Sequence, residues 1–271
     1  MMLEIPDEVQ PPFDCAIGCM QKSGAQMVFG DETKVFDYMS VTKVFAAIGV
    51  LVAVERGHLE LGTPVEVAGE TVTIKHLLAH ASGVAFDKNE RQAEPETRRI
   101  YSNFGFERMA NAVEEHVGTA FNDWLETEVL EPLGMVETSI TGSCAYSGTG
   151  SLRDLMALAN ELLEPTLIST DLHDQMLTET YPGIRGITPG YGSYRDNAWG
   201  LGVEIKKDKQ RTWFPPQASE NAFGHFGQSG SFIWVDPARG AAGAFLGDEP
   251  FGKWHQQHWQ QLGDYLLQCA N

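Results

Sequence analysis

Basic residues are scarce in this chain. Lys and Arg number 19 against 37 Asp and Glu, a formal charge of −18 over 271 residues. That balance argues against binding nucleic acid or an anionic membrane surface, both of which need a basic face. Cysteine is scarcer still. Cys15, Cys19, Cys144 and Cys269 fall at no metal-binding or redox spacing, so neither a zinc site nor a disulfide framework is expected. No apolar run is a convincing membrane span; the one after Ser40 is too short and too rich in small residues. Met1 to Glu8 carries no basic or apolar stretch of the secretory kind. The expectation is a cytoplasmic protein with reduced thiols, no cofactor, and no nucleic-acid or membrane partner. There is no internal repeat or low-complexity tract.

What the chain does have is Ser40-Val41-Thr42-Lys43 at the mouth of a helical stretch that is apolar almost throughout, Val44 to Val54. Residues three apart share a helix face, so Ser40 and Lys43 can touch. A helix apolar all round is buried. A lysine at its start is costly unless the amine is paired or put to use. An amine in a dry pocket loses proton affinity and becomes a base toward a neighbouring hydroxyl. In isolation the spacing is common, and a capping serine followed by a surface lysine is its ordinary meaning. The buried setting is what raises Ser40 and Lys43 to candidates for nucleophile and base.

The pattern along the chain predicts strands over 14–21 and 24–30, and a helix from Ser40 to Arg56 stopped by Gly57. A short strand, Val72 to Ile74, leads to a helix ending near His80. Helical periodicity covers Asn103 to Val117, Phe121 to Leu130 and Ser151 to Leu163. Residues 181–197 read as a long loop. Short β runs at 199–206, 222–228, 230–236 and 241–247 precede a last aromatic-rich helix, about 251–268. Strands and helices are segregated, which predicts an α+β fold whose antiparallel sheet draws on both ends of the chain.

Two more triplets complete the set: Tyr101-Ser102-Asn103 before a predicted helix, and His225-Phe226-Gly227 late in a predicted strand. With S-x-x-K they resemble the three motifs of the serine β-lactamase and penicillin-binding protein superfamily. The likeness is strongest to its class C-like branch, which includes esterases and D-aminopeptidases. Ile74 to Gly83 is similar to that family's "LLTHTSG" segment and Glu131 to Ser139 to its "PLGM-x-x-T" segment. Trp199 to Gly202 and Trp234 to Pro237 also have counterparts in family order.

The resemblance implies a β-lactamase-like fold. A five-stranded antiparallel sheet would lie in a lobe made of residues 1–60 and 195–271. A mainly helical lobe, 61–194, would face it across the active site. It also implies roles. Ser40 would attack an acyl carbonyl, and Lys43 and Tyr101 would handle its proton as a coupled pair. Asn103 would hold Lys43 or the substrate. Backbone N–H groups of Ser40 and Gln228 would form an oxyanion hole. Gly227 would let substrate approach the strand edge, and His225 would line the site as a donor. Each has a plainer meaning: Tyr101 a buried aromatic, Asn103 an N-cap, His225 a core histidine, Gly227 and Gln228 turn residues.

His76 and His80 have the i, i+4 spacing of two metal ligands but lack the glutamate of H-E-x-x-H, and are expected to be buried, hydrogen-bonded histidines. His255 and His258 fit an amphipathic helix docked on the sheet. Glu94 to Arg99 reads as solvated surface. The chain also departs from the family. Little precedes the first strand, the segment from Gly83 to Ile100 is short, and His225 stands where β-lactamases that bind a carboxylate place lysine. A neutral imidazole attracts an anion poorly. The expectation is therefore a serine hydrolase of a small ester or amide. A β-lactamase or DD-peptidase is the first rival, and a non-catalytic binding or sensor protein the second.

Overall fold

A computed structural model describes residues 1–270. Its strands and helices, in chain order, begin with β1 (Cys15–Gln21), β2 (Gln26–Phe29), β3 (Phe36–Asp37), α1 (Thr42–Glu55), β4 (Pro64–Val67), β5 (Glu70–Thr73) and α2 (Ile74–Leu78). The middle of the chain supplies α3 (Asn103–Val117), α4 (Phe121–Leu125), β6 (Ser139–Ile140), β7 (Gly148–Gly150), α5 (Leu152–Leu163) and α6 (Thr170–Leu177). Then follow β8 (Gly186–Thr188), β9 (Gly192–Tyr194), β10 (Glu204–Ile205), β11 (Phe223–Gly227), β12 (Ser231–Asp236), β13 (Ala241–Gly247) and α7 (Lys253–Cys269). A 3-10 turn, Met39–Val41, leads into α1.

The main sheet runs β10-β11-β12-β13-β1-β2, antiparallel throughout. It draws on both ends of the chain, as the segregated pattern predicts, and has one strand more than the five expected. The extra strand, β10, is only two residues long. The preceding residues cannot extend it because their amides are used elsewhere: Leu201 N–H donates to Met176 O (2.9 Å) and Gly202 N–H to Leu78 O (3.0 Å). Alternation splits the strands between two cores. Ile233, Val235, Ala242, Ala244 and Leu246 face the helices. Phe232, Trp234 and Phe245 face α7 with Trp259, Leu262 and Leu266. Trp234 lies opposite Gly243, where a Cβ would fall 2.5 Å from its ring, so only glycine admits the indole.

Helix α1 is buried from Thr42 to Ala53 and forms the axis of the helical side, in contact with α3 and α4. One helix crosses the expected division. Within 61–194, α5 packs on β13, β12 and β1. Its apolar stripe (Leu152, Leu155, Met156, Ala159) covers the face of the sheet opposite α7. Two elements within aperiodic stretches were not anticipated: α6, and the β8–β9 hairpin inside 181–197. No helix of the described residues is long and apolar enough to cross a membrane.

Candidate active site

The turn that opens α1 is clamped on every side. Tyr38 is fully buried, and its hydroxyl donates to Ser151 O (2.9 Å). Its backbone N–H donates to Gly148 O (2.8 Å), and its carbonyl accepts from Ser231 Oγ (2.8 Å). Thr42 Oγ1 donates to Met39 O (2.5 Å) and accepts from Gly148 N–H (2.9 Å). Between these anchors Met39 adopts φ +45°, a left-handed conformation uncommon for a residue with a side chain. The strained residue directly precedes Ser40, which it turns toward the cavity between the lobes.

Lys43 lies one turn further on and is fully buried. Its Nζ donates to Asn103 Oδ1 (2.6 Å) and Ala145 O (2.8 Å) and sits 4.6 Å from the centre of the Tyr101 ring. Both acceptors are neutral. Burial pushes the amine down from 10.5 to about 7, against the weaker opposing pull of Cys144 and Glu107. Asn103 is free for this contact because Ser102, not Asn103, caps α3. Ser102 Oγ accepts from Gly105 N–H (2.9 Å) and donates to Ala85 O (2.6 Å).

Tyr101 is packed among rings, with His80 at 4.5 Å, His225 at 5.8 Å and Trp199 at 6.0 Å between centroids. Burial raises its phenol well above the ordinary tyrosine value. The Ser40 side chain beside it works in the opposite sense and is the smaller effect. Tyr101 is thus a neutral phenol next to Ser40.

His225 Nδ1 lies 2.8 Å from Phe226 O. A carbonyl only accepts, so the proton sits on Nδ1. Burial, aided by nearby Lys43, pushes the ring down to about 3, which keeps it neutral. Nε2 is therefore an acceptor, 3.5 Å from the Tyr101 hydroxyl. The donor role expected of His225 is corrected on this point.

Gly227 has a different reason from the one expected. A Cβ there would lie 2.4 Å from Tyr38 O and 2.5 Å from Ser231 Oγ. Glycine lets β11 press against the turn that carries Ser40; substrate access is not what requires it. Gln228 follows, exposed, and lines the cavity with Ser40.

The cavity holds about 280 Å³ and is mostly apolar. Its far wall is formed by Phe86, Thr188, Pro189, Trp199 and Glu204; of these only Trp199 stood in a segment singled out in the sequence, and not as a site residue. Glu204 is buried. Its carboxylate accepts from Lys209 Nζ (2.7 Å), Thr188 Oγ1 (3.0 Å) and Trp213 Nε1 (2.8 Å). Lys209 stands behind it, away from the cavity, so the carboxylate is the charge nearer the substrate space.

Arg99 is also buried, against expectation for the Glu94 to Arg99 run. It donates to the carbonyls of Ala79 (2.6 Å), Thr180 (2.9 Å) and Asn197 (2.8 Å), tying three loops beneath the site. The His76 and His80 pair does not converge. His76 Nε2 faces Glu96 (2.9 Å), while buried His80 accepts from Ser102 N–H (3.1 Å). His255, buried, accepts from Gly252 N–H (3.1 Å) at the start of α7.

A family model for beta-lactamases matches residues 30–262. The chain belongs to the beta-lactamase family. A solved beta-lactamase from Mycobacterium bovis is 40% identical, with a TM-score of 0.93 and 96% of each chain covered. Simvastatin synthase from Aspergillus terreus, as its LovD6 mutant, shares the fold at 15% identity and TM-score 0.77, over 95% of this chain and 91% of that one. Penicillin-binding protein 4* of Bacillus subtilis is 29% identical over 136 residues, 39% of this chain. The match spans only 30% of that relative's length.

Within this beta-lactamase family fold, the three triplets read from the sequence meet at one cavity. Ser40 comes from the turn before α1, Tyr101 and Asn103 from the start of α3, and His225 from β11.

Proposed function

We propose that the protein is a serine hydrolase that cleaves a small, uncharged ester or amide through an acyl-Ser40 intermediate. The observation that carries this reading is the state of Lys43, a buried amine held only by neutral acceptors and pushed down to about 7, beside the Ser40–Tyr101 hydroxyl pair. At neutral pH a large share of such an amine is unprotonated and able to act as a base.

Ser40 Oγ attacks the carbonyl, and its proton passes by way of the Tyr101 hydroxyl to Lys43. The same proton is returned to the leaving alcohol or amine as the carbonyl–heteroatom bond breaks. Water then attacks the acyl-serine by the reverse route and releases the acid. We assign Lys43 as the base and Tyr101 as the group that shares the proton with it. Backbone N–H groups of Ser40 and Gln228, two residues that line the cavity, are the groups we assign to the oxyanion.

The kinship with a beta-lactamase 40% identical favours β-lactam hydrolysis as a second reading. The cavity lining argues against it. No Lys or Arg lines the cavity to meet a substrate carboxylate, His225 is neutral, and Glu204 presents a carboxylate of its own. The four cysteines are free, which is consistent with a reducing, cytoplasmic setting.

Intact-protein mass after exposure to a fluorophosphonate tests the nucleophile: one adduct on the parent and none on Ser40→Ala is expected. Turnover of a short-chain p-nitrophenyl ester, set against a chromogenic cephalosporin, tests the substrate. No adduct on folded parent would move the non-catalytic binding reading forward. Fast cephalosporin turnover would move the β-lactamase reading forward.

A further inference from the structure

Four of the ten arginines in this acidic chain pair with carboxylates. Arg56 pairs with Glu128, Arg91 with Glu70 and Glu94, Arg153 with Glu137, and Arg239 approaches Asp236. Arg98, Arg185 and Arg195 do not, and they are set apart from the other unpaired arginines by their placement. Among the described residues none of the three makes an ion pair, and all three line a single pocket of about 570 Å³. The acid next in sequence to Arg195, Asp196, is already engaged by Lys207 Nζ and by Gly183 N–H (3.0 Å).

The placement is built by the backbone. Arg99 N–H donates to Arg185 O (2.9 Å), and Arg99 bridges Gly186 in parallel, which brings Arg98 beside Arg185. The β8–β9 hairpin pairs Gly186 with Tyr194, which brings Arg195 to the same end. Three arginines thus line one concavity, and among the described residues none of them makes an ion pair. The remaining lining, Ile187, Ser193 and Tyr194, adds an apolar face and a hydroxyl.

We propose that this pocket is a binding site for a phosphate-bearing small molecule. Guanidinium forks match phosphate oxygens bidentately, and clustered like charges in a concavity are stabilised by a multivalent anion. The phosphate belongs either to a separate effector or to a remote part of the substrate. The pocket and the catalytic cavity lie on either side of strand β8. Ile187 faces the arginines, while Thr188, the next residue on the same strand, and Pro189 line the cavity. Binding on one face of the hairpin therefore reaches the other.

Titration calorimetry with inorganic pyrophosphate at fixed ionic strength tests the site directly, and does so whether or not Ser40 forms an acyl-enzyme. The parent should bind saturably with one site. Arg98→Gln/Arg185→Gln should weaken binding at least tenfold, and Arg195→Gln alone should weaken it less. An unaltered thermal unfolding transition would show that the variants fold. Absence of saturable binding in the parent, or equal binding in the double variant, overturns the proposal. If pyrophosphate alters turnover of an uncharged ester, the occupant is an effector. If it leaves that turnover unchanged, while a phosphate-bearing ester has a lower KM than its uncharged analogue only when the arginines are present, the occupant is part of the substrate.

Discussion

Lys43 Nζ lies 2.6 Å from the amide oxygen of Asn103, one of two neutral acceptors that hold a fully buried ammonium group. A carboxylate in the place of Asn103 would keep the amine charged at every physiological pH. An amide satisfies its geometry and leaves its proton removable.

Ester turnover should consequently rise with pH through about 7 and level off above it, because the base must be unprotonated. Lys43→Arg fixes a charge at this position and should lower kcat/KM by roughly 10²–10⁴-fold. A rate independent of pH between 5 and 9 in the parent would remove Lys43 from the base role.

The same amine affects stability. Its folded-state value is depressed below 10.5, so between about 7 and 10.5 the unfolded chain binds more protons than the folded one. Stability should then rise with pH across that window, and the cost of burying the ammonium should be greatest below 7. Lys43→Met should be more stable than the parent at pH 6, with the gain shrinking toward pH 10. Urea unfolding at both pH values measures it.

Asn103→Ala removes an acceptor that favours the charged amine. The acid limb of the rate profile should move to lower pH by about one unit, and the maximal rate should fall as Lys43 loses its orientation. A limb moving upward would mean that Asn103 acts elsewhere.

Glu204→Gln should let anionic substrates in. The ratio of kcat/KM for p-nitrophenyl hemisuccinate to that for p-nitrophenyl butyrate should rise at least tenfold. Loss of the buried partner of Lys209 should also cost about 3–5 kcal/mol. Glu204→Gln/Lys209→Met should recover much of that stability, which separates charge selection from simple unfolding. An unchanged ratio in the double variant would leave Glu204 with a structural role alone.

Much of this site is legible in the sequence because its parts lie where local patterns are strongest. The apolar run after Lys43 forces burial of the amine, and the helical periodicity from Asn103 places the start of α3 just after Tyr101, although the cap is Ser102 and not the Asn103 the sequence offered. The opposite wall is not legible. Thr188 and Pro189 belong to a hairpin whose strands are only three residues long, too short for a period to show, and Trp199 is held by a bond from Thr180 N–H (2.8 Å) that no local pattern announces. The sheet shows the same limit at β10, where two glycine-containing turns look like a strand in the one-letter code. The reason for Gly227 is hidden too, since its neighbour is Tyr38, nearly the whole chain away in sequence.

That last kind of distance has a consequence for how the protein comes into being. Strand β13 lies between β12 and β1, with Cys15 opposite Gly247. On the ribosome, Ser40 and Lys43 emerge long before the strands that complete their surroundings. Pairing between such distant segments is slow, because the loop must close before its contacts reward it. A nascent chain therefore carries Ser40 and Lys43 without His225, Gly227 or Gln228 for most of its synthesis. The cavity is completed in one late step, when the C-terminal strands slot in beside β1.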